Sequence, residues 1–235
     1  MIDYYKIKEI KKLIFNNKNI VFLTGAGISV PSGIPDYRSG KGLYSEKPET
    51  ILSYSYFSEE PDEFYKFMKE SMDFRKYKPN VIHKAISDLQ QAKSTISHIT
   101  QNIDGLSNQL PGEVIQFHGN LSNFYCTSCG KNIDCNDYYD NTNECDCGGY
   151  CRPDILLYDE TIDLYVFSKA ISKMSEADVV IIIGTSMQVA PFNQLIYYTN
   201  PNTKIVTINK SKLDNVESDI EIIEDASTIL PLIVY

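Results

Sequence analysis

The stretch "GAGISVPSGIPDYRSG" occupies residues 25–40 and follows directly on "NIVFLT" at 19–24. Ile20, Val21, Phe22 and Leu23 form an unbroken apolar run, which reads as a strand buried on both faces. A buried strand that runs into Gly25-Ala26-Gly27 has the form of a nucleotide-binding turn. Glycines there let the backbone approach a phosphate, and a following helix N-terminus stabilises its charge. The dinucleotide fingerprint asks for a third glycine three residues after the second, and Val30 stands there instead. Taken alone, the turn fits a tight strand-to-helix connection with no ligand equally well.

Helical periodicity places Ile7, Ile10, Leu13 and Ile14 on one face over residues 3–16. It places Phe64, Phe67, Met68 and Met72 on one face over 62–73, with Pro79 as the break. Over 81–91 it turns Val81, Ala85, Ile86 and Leu89 inward. Strands are expected at 94–100, 114–117, 178–183, 204–208 and 220–223, with helices over 165–175 and 192–198 and after the last strand. Apolar strands alternating with helices predict an α/β fold, a Rossmann-like parallel sheet covered by helices. Five strands end in glycine or polar residues: Gly25-Ala26-Gly27, Gln101-Asn102, His118, Gly184-Thr185-Ser186 and Asn209. Ligands of such sheets bind beyond the carboxyl ends of the strands, so these ends converge on one crevice. The expected division gives 1–40, 79–120 and 158–235 to the nucleotide-binding domain. It gives 41–78, a helical insertion, and 121–157, a metal module, to a smaller one.

A chain of 235 residues can bury a sizeable core. Its formal charge of -9 argues against a nucleic-acid partner, which needs a basic face. The longest apolar run, Val179 to Ile183, is too short for a membrane span. No charged-then-apolar leader is seen, so a cytoplasmic chain is expected, and a monomer. All six cysteines lie between Cys126 and Cys151. In a reducing compartment such clustering points to metal rather than disulfides. Cys126-Thr127-Ser128-Cys129 and Cys145-Asp146-Cys147 form two short-range pairs, which suit a closed, structural zinc ribbon. The second pair is one residue tighter than usual, leaving Cys135 and Cys151 as alternatives to Cys145. Of the three histidines, His83 falls on a helix and His98 in mid-strand, where structural or surface roles fit. His118 stands at a strand end beside the crevice, where a near-neutral imidazole suits general-base work.

The ordered set "GAGIS", "SGIPDYRS", "TQNIDGL", "FHGN", the paired cysteines, "RPDILLYDE", "GTSMQV" and "INKS" resembles the sirtuins, the NAD-dependent protein deacylases. The resemblance runs from about Ile10 to the C-terminus. It implies an enzyme that transfers the acetyl group of an acetyl-lysine protein to ADP-ribose, with NAD as co-substrate, nicotinamide as a product and one structural zinc. It implies that Gly25, Ala26 and Gly27 line the diphosphate, with Val30 near the cofactor and Arg38 paired to it. Tyr37, where the family usually has phenylalanine, would shield the ribose. Gln101 would bind ribose hydroxyls and Asn102 would orient the ribose or a water. Ile103 and Asp104 would hold the nicotinamide carboxamide. Thr185, Ser186, Asn209 and Ala226 would contact the phosphate and adenosine half. His118, with Asn102, would be catalytic, and Cys126, Cys129, Cys145 and Cys147 would hold the zinc. Leu156, Tyr158, Asp159 and Glu160 would meet the substrate peptide, Asp159 replacing a glycine and so raising the question of its backbone conformation. Tyr65 and Met68 are matched to the acyl tunnel; a methionine there favours acetyl over acidic acyl groups. Rival readings are a protein ADP-ribosyltransferase or an NAD hydrolase on the same fold, or a non-enzymatic zinc-ribbon module.

Overall fold

The computed structural model describes residues 2–35 and 48–235. Strands β1 (Ile20–Thr24), β2 (Ile96–Thr100), β3 (Val114–Gln116), β7 (Val179–Ile183), β8 (Lys204–Asn209) and β9 (Ile220–Ile223) form one parallel sheet in the order β3-β2-β1-β7-β8-β9. The chain reverses its direction of growth between β1 and β7, and at that point an open α/β sheet offers its crevice.

Alternate residues of the central strands feed two cores. Ile20, Phe22, Ile181, Ile183, Val206 and Ile208 face helices α1 (Tyr4–Asn16), α5 (Val81–Ala92) and α8 (Ala226–Val234). Val21, Leu23, Ile99, Val180 and Ile182 face α7 (Leu164–Ser175) and a 3-10 helix at Phe192–Tyr198. Burial on both faces explains why β1 and β7 read as continuous apolar runs, without the alternation of a one-sided sheet.

The caps are local. Asp3 accepts from the Tyr5 and Lys6 amides and starts α1. Asn80 starts α5 by accepting from the Ile82 amide. The same side chain donates to Ile28 O (2.7 Å) and Ser32 Oγ (2.8 Å), tying α5 to the loop after β1. His83 closes this cap by accepting from the Asn80 amide, so it is a structural histidine. His98 is equally buried and bonds Thr24 Oγ1 at 2.7 Å.

The smaller unit has an antiparallel sheet, β4 (Gly119–Cys126), β5 (Asn132–Ile133) and β6 (Cys151–Ile155), ordered β5-β4-β6. Around it lie the helices α2 (Pro48–Ile51), α3 (Tyr54–Glu59), α4 (Pro61–Ser71) and α6 (Cys135–Asp140). Their shared core includes Phe57, Phe64, Met68, Phe124, Tyr138 and Tyr139.

Some expectations need correction. Helix α4 ends at Ser71, well ahead of Pro79. The Met72 amide closes it on Met68 O, and Arg75, bound to Asp73 and Asp140, then leads the chain away. Val81 is 36% exposed, because the first residue after the Asn80 cap points outward. Residues 192–198 form a 3-10 helix, a tighter winding than an α-helix. Met68 is fully buried in the small core and Tyr65 meets the edge of Tyr138 at 5.2 Å. Neither is among the described residues lining the cleft at the strand ends, and their match to an acyl tunnel rests on the motif alone.

Candidate active site

The loops after β1 and β7 interlock through their own backbones. The Gly25 amide bonds Ile183 O (3.3 Å) and the Gly27 amide bonds Gly184 O (2.8 Å). A Cβ on Gly27 would lie 2.7 Å from Gly184 Cα, backbone against backbone. Glycine at this turn is therefore required by loop contact as well as by room for a phosphate.

Polar side chains from three strand ends join beside this contact. Gln101 Nε2 donates to Thr185 Oγ1 (2.9 Å). The Thr185 amide donates to Asn209 Oδ1 (3.2 Å), and Asn209 Nδ2 donates back to Thr185 O (2.7 Å). A second chain runs inward. Asn102 Nδ2 donates to Gly25 O and Ser29 Oγ, both at 3.1 Å, and Ser29 Oγ donates to Asp104 Oδ2 at 2.6 Å. The Leu106 amide occupies Asp104 Oδ1. Burial raises the Asp104 carboxyl above its ordinary range. Ser29, 1% exposed, was not singled out in the sequence, although it closes the "GAGIS" motif. A polar residue five places beyond the strand, in an otherwise small and apolar turn, was the available signal.

His118 stands between the two sheets, where β3 gives way to β4. Its Nδ1 lies 3.2 Å from Gln101 O. A carbonyl only accepts, so Nδ1 carries the proton and Nε2 keeps its lone pair. The rings of Phe117 and Phe192 flank the imidazole at 5.4 and 6.1 Å. Burial lowers its pKa to about 4, against the weaker raising effect of the Gln101 carbonyl. It is neutral at pH 7.

These groups line a cleft of about 530 Å³. Ala26, Gly27 and Val30 form one wall, with Gln101, Asn102, Ile103 and His118 in the middle. Thr185, Ser186, Asn209 and Ala226 also line it, and Leu156, Tyr158, Asp159 and Glu160 form a rim segment. Gly25 and Asp104 lie behind the lining, holding Asn102 and Ser29. Tyr37 and Arg38 lie outside the described residues. A second, more open cavity of about 710 Å³ shares His118, Leu156, Asp159 and Glu160.

The rim segment is held by its own backbone. The Leu156 amide donates to His118 O (2.9 Å). Tyr158 donates to Leu52 O and accepts from the Tyr54 amide, both at 2.9 Å. Asp159 adopts φ +72°, the left-handed region its replacement of a glycine put in question, and its Oδ2 accepts from Ser55 Oγ (2.8 Å). The Glu160 carboxylate is engaged by Arg152.

The sulfur atoms of Cys126, Cys129, Cys145 and Cys147 lie within 4.8 Å of one another. Cys126–Cys147 is 3.5 Å and Cys129–Cys145 is 3.8 Å. Zinc–sulfur bonds of about 2.3 Å in a tetrahedron put the sulfurs about 3.8 Å apart, so this donor set fits one zinc ion with no open position. Gly130 and Gly148, at φ +71° and +80°, turn the chain after each pair. The tighter spacing of the second pair is thereby accommodated. Cys135 instead caps toward Leu121 O, and Cys151 faces Cys126 across the β4–β6 ladder.

The model of the Sir2 family matches residues 25–191. The chain belongs to the Sir2 family. The NAD-dependent protein deacetylase of Listeria innocua is 41% identical over 210 residues, covering 88% of this chain and 91% of that one. That of Clostridium tetani is 42% identical over 216 residues, covering 87% of each. Among solved structures, a Sir2 enzyme with a deacetylated p53 peptide and 3′-O-acetyl-ADP-ribose is 30% identical with a TM-score of 0.89, covering 97% of this chain and 96% of that one. A Sir2–p53 peptide–NAD+ structure is 31% identical with a TM-score of 0.86, covering 96% and 95%. The fold of this Sir2 chain thus recurs in those structures over nearly its full length.

Proposed function

We propose that this Sir2-family chain is an NAD-dependent protein-lysine deacetylase that releases nicotinamide and O-acetyl-ADP-ribose. The observation that carries the reading is His118, neutral, with Nδ1 fixed on Gln101 O and Nε2 left unprotonated beside the cleft. NAD, when bound, supplies an activated anomeric carbon that accepts the acetyl-lysine amide oxygen. The chain's residues do the rest. His118 Nε2 takes a proton from a ribose hydroxyl in the deacylation step. Gln101, already hydrogen-bonded to Thr185, meets ribose hydroxyls, and Asn102 orients the ribose or a water. The amides around Gly25, Ala26 and Gly27, with Val30 beside them, line the diphosphate. Thr185, Ser186, Asn209 and Ala226 hold the adenosine half. Ile103 and Asp104 are assigned to the carboxamide on their motif, Ile103 from the cleft wall and Asp104 from behind it through its hydrogen bond with Ser29. Tyr37 and Arg38 are assigned to ribose shielding and diphosphate pairing on their motif alone. Leu156, Tyr158, Asp159 and Glu160 form the peptide rim, and Cys126, Cys129, Cys145 and Cys147 hold one structural zinc.

The acyl group is acetyl. Among the described residues lining the cleft the one lysine or arginine is Lys210, which is paired with Asp225 at 2.9 Å. An acidic acyl chain would find no unpaired cation among these described residues to meet its carboxylate. The domains divide as 1–40, 79–120 and 158–235 against 41–78 and 121–157, a division supported by the separate cores, although Ile34, Ile103 and Leu106 pack with the smaller one. The protein acts as a cytoplasmic monomer on acetylated proteins, a reading supported by free thiols and a net charge of -9. Among the described residues no helix is long and apolar enough to cross a membrane.

Product analysis tests the reading. Incubation with NAD and an acetyl-lysine peptide is expected to yield O-acetyl-ADP-ribose and free lysine. ADP-ribosylated protein, or free ADP-ribose formed without peptide, would replace it with a transferase or hydrolase.

A further inference from the structure

Arg152 on β6 is 2% exposed, and its hydrogen bonds all go to the segment that carries the rim of the cleft. A guanidinium stays charged, so its burial is tolerated only where its donors find acceptors. Nη1 and Nη2 donate to the two carboxylate oxygens of Glu160 at 2.5 and 2.9 Å. Nη2 also donates to Ile155 O (2.8 Å), and Nε to Pro153 O (3.3 Å). Glu160 Oε2 in turn accepts the Leu157 amide at 2.8 Å. The guanidinium lies over the rings of Phe57 and Tyr125 at 5.6 and 5.9 Å. One side chain therefore fixes residues 153–160 at several points.

That segment is joined to the base. The Leu156 amide donates to His118 O. Gly119, at φ +81°, pairs with Ile155 so closely that a Cβ there would lie 2.1 Å from Asp154 O. His118 and the rim cannot shift independently. A buried ion pair is a poor device for stability, since apolar residues of similar volume often serve as well or better. A forked donor that meets a carboxylate and a carbonyl at once does fix geometry.

We propose that Arg152, acting through Glu160, is a positioning residue that holds the peptide-binding rim in register with His118. The proposal rests on the deacetylase reading. Glu160 on this account acts with its carboxylate turned away from the peptide.

The test uses the full-length protein. Arg152→Lys keeps the charge and loses the fork; Glu160→Gln keeps the shape and loses the charge. Steady-state kinetics on an acetyl-lysine peptide and calorimetric affinity for ADP-ribose are measured on each. A fall of about 100-fold in kcat/KM for the peptide is expected for Arg152→Lys, carried mainly by KM, with ADP-ribose affinity unchanged. Because Arg152 lines the second cavity, added methylguanidinium is expected to restore part of the peptide turnover of Arg152→Ala. If Arg152→Ala does not fold, the other two variants decide. Wild-type peptide kinetics in both of them would overturn the proposal. So would a parallel loss of peptide turnover and ADP-ribose affinity, which general unfolding produces. A wild-type protein that binds ADP-ribose but deacetylates no peptide would overturn the deacetylase reading, and this proposal with it.

Discussion

Replacing His118 by alanine removes the one imidazole whose free nitrogen borders the cleft. Deacetylation should fall by about 100-fold or more, while calorimetry still detects NAD binding. Unchanged turnover would refute the assignment. Gly27→Ala acts differently. Its new methyl would meet Gly184 Cα at 2.7 Å and Gly184 O at 2.8 Å, and neither atom belongs to a side chain that can swing away. Overpacking of this kind costs about 1–3 kcal/mol. Urea unfolding should show that loss together with weakened NAD binding, and a variant as stable as wild type would contradict the interlock. Much of this scale was legible in the sequence. His118 announced itself by its place at a strand end, and the glycines by their place after an apolar strand. Ser29, Arg152 and the true surroundings of Tyr65 did not, because their partners lie 75, 8 and 73 positions away in the chain and only folding reveals them.

At the scale of elements, the parallel sheet was readable because β1 and β7 are buried on both faces and carry unbroken apolar runs. The small sheet was not. β4 alternates poorly, its pairing with β6 shifts register between Asn120 and Phe124, and β5 has two residues. Short strands of this kind gain little from their own propensity and are held by what surrounds them. Here the thiol cluster surrounds them. Cys126 ends β4 and faces Cys151 at the start of β6. One zinc per chain is therefore expected by elemental analysis of protein never exposed to chelator. Cys129→Ser should release it and erase the near-ultraviolet dichroism of the tyrosine-rich small core, because metal binding and folding are coupled here. A variant with the wild-type spectrum and no zinc would show that the sheet stands without its metal.

For the whole molecule, the three histidines make stability depend on pH. Burial lowers His83 and His118 to about 4 and His98 to about 3. In the unfolded chain each titrates near 6.5. Below that value the unfolded chain binds protons that the folded one refuses, so stability is complete above about pH 6.5 and falls as the pH drops toward 4. Asp104, raised by burial, opposes this trend as a single group against three. The urea midpoint at pH 5 should lie below that at pH 7.5, and equal midpoints would mean that the histidines are solvated. The last helix connects the cleft to the far side of the protein. Ala226, the first residue of α8, lines the cleft, and its cap Asp225 bridges Lys210 there. The helix then packs along α5 and α1 for nine residues, about 13 Å, to Tyr235, whose hydroxyl bonds Asp88. A ligand that grips the first turn adds its binding free energy to every opening that would lift the helix away. Amide exchange along α8 should therefore slow when ADP-ribose is bound, making the carboxyl end of the chain a remote gauge of occupancy in the cleft.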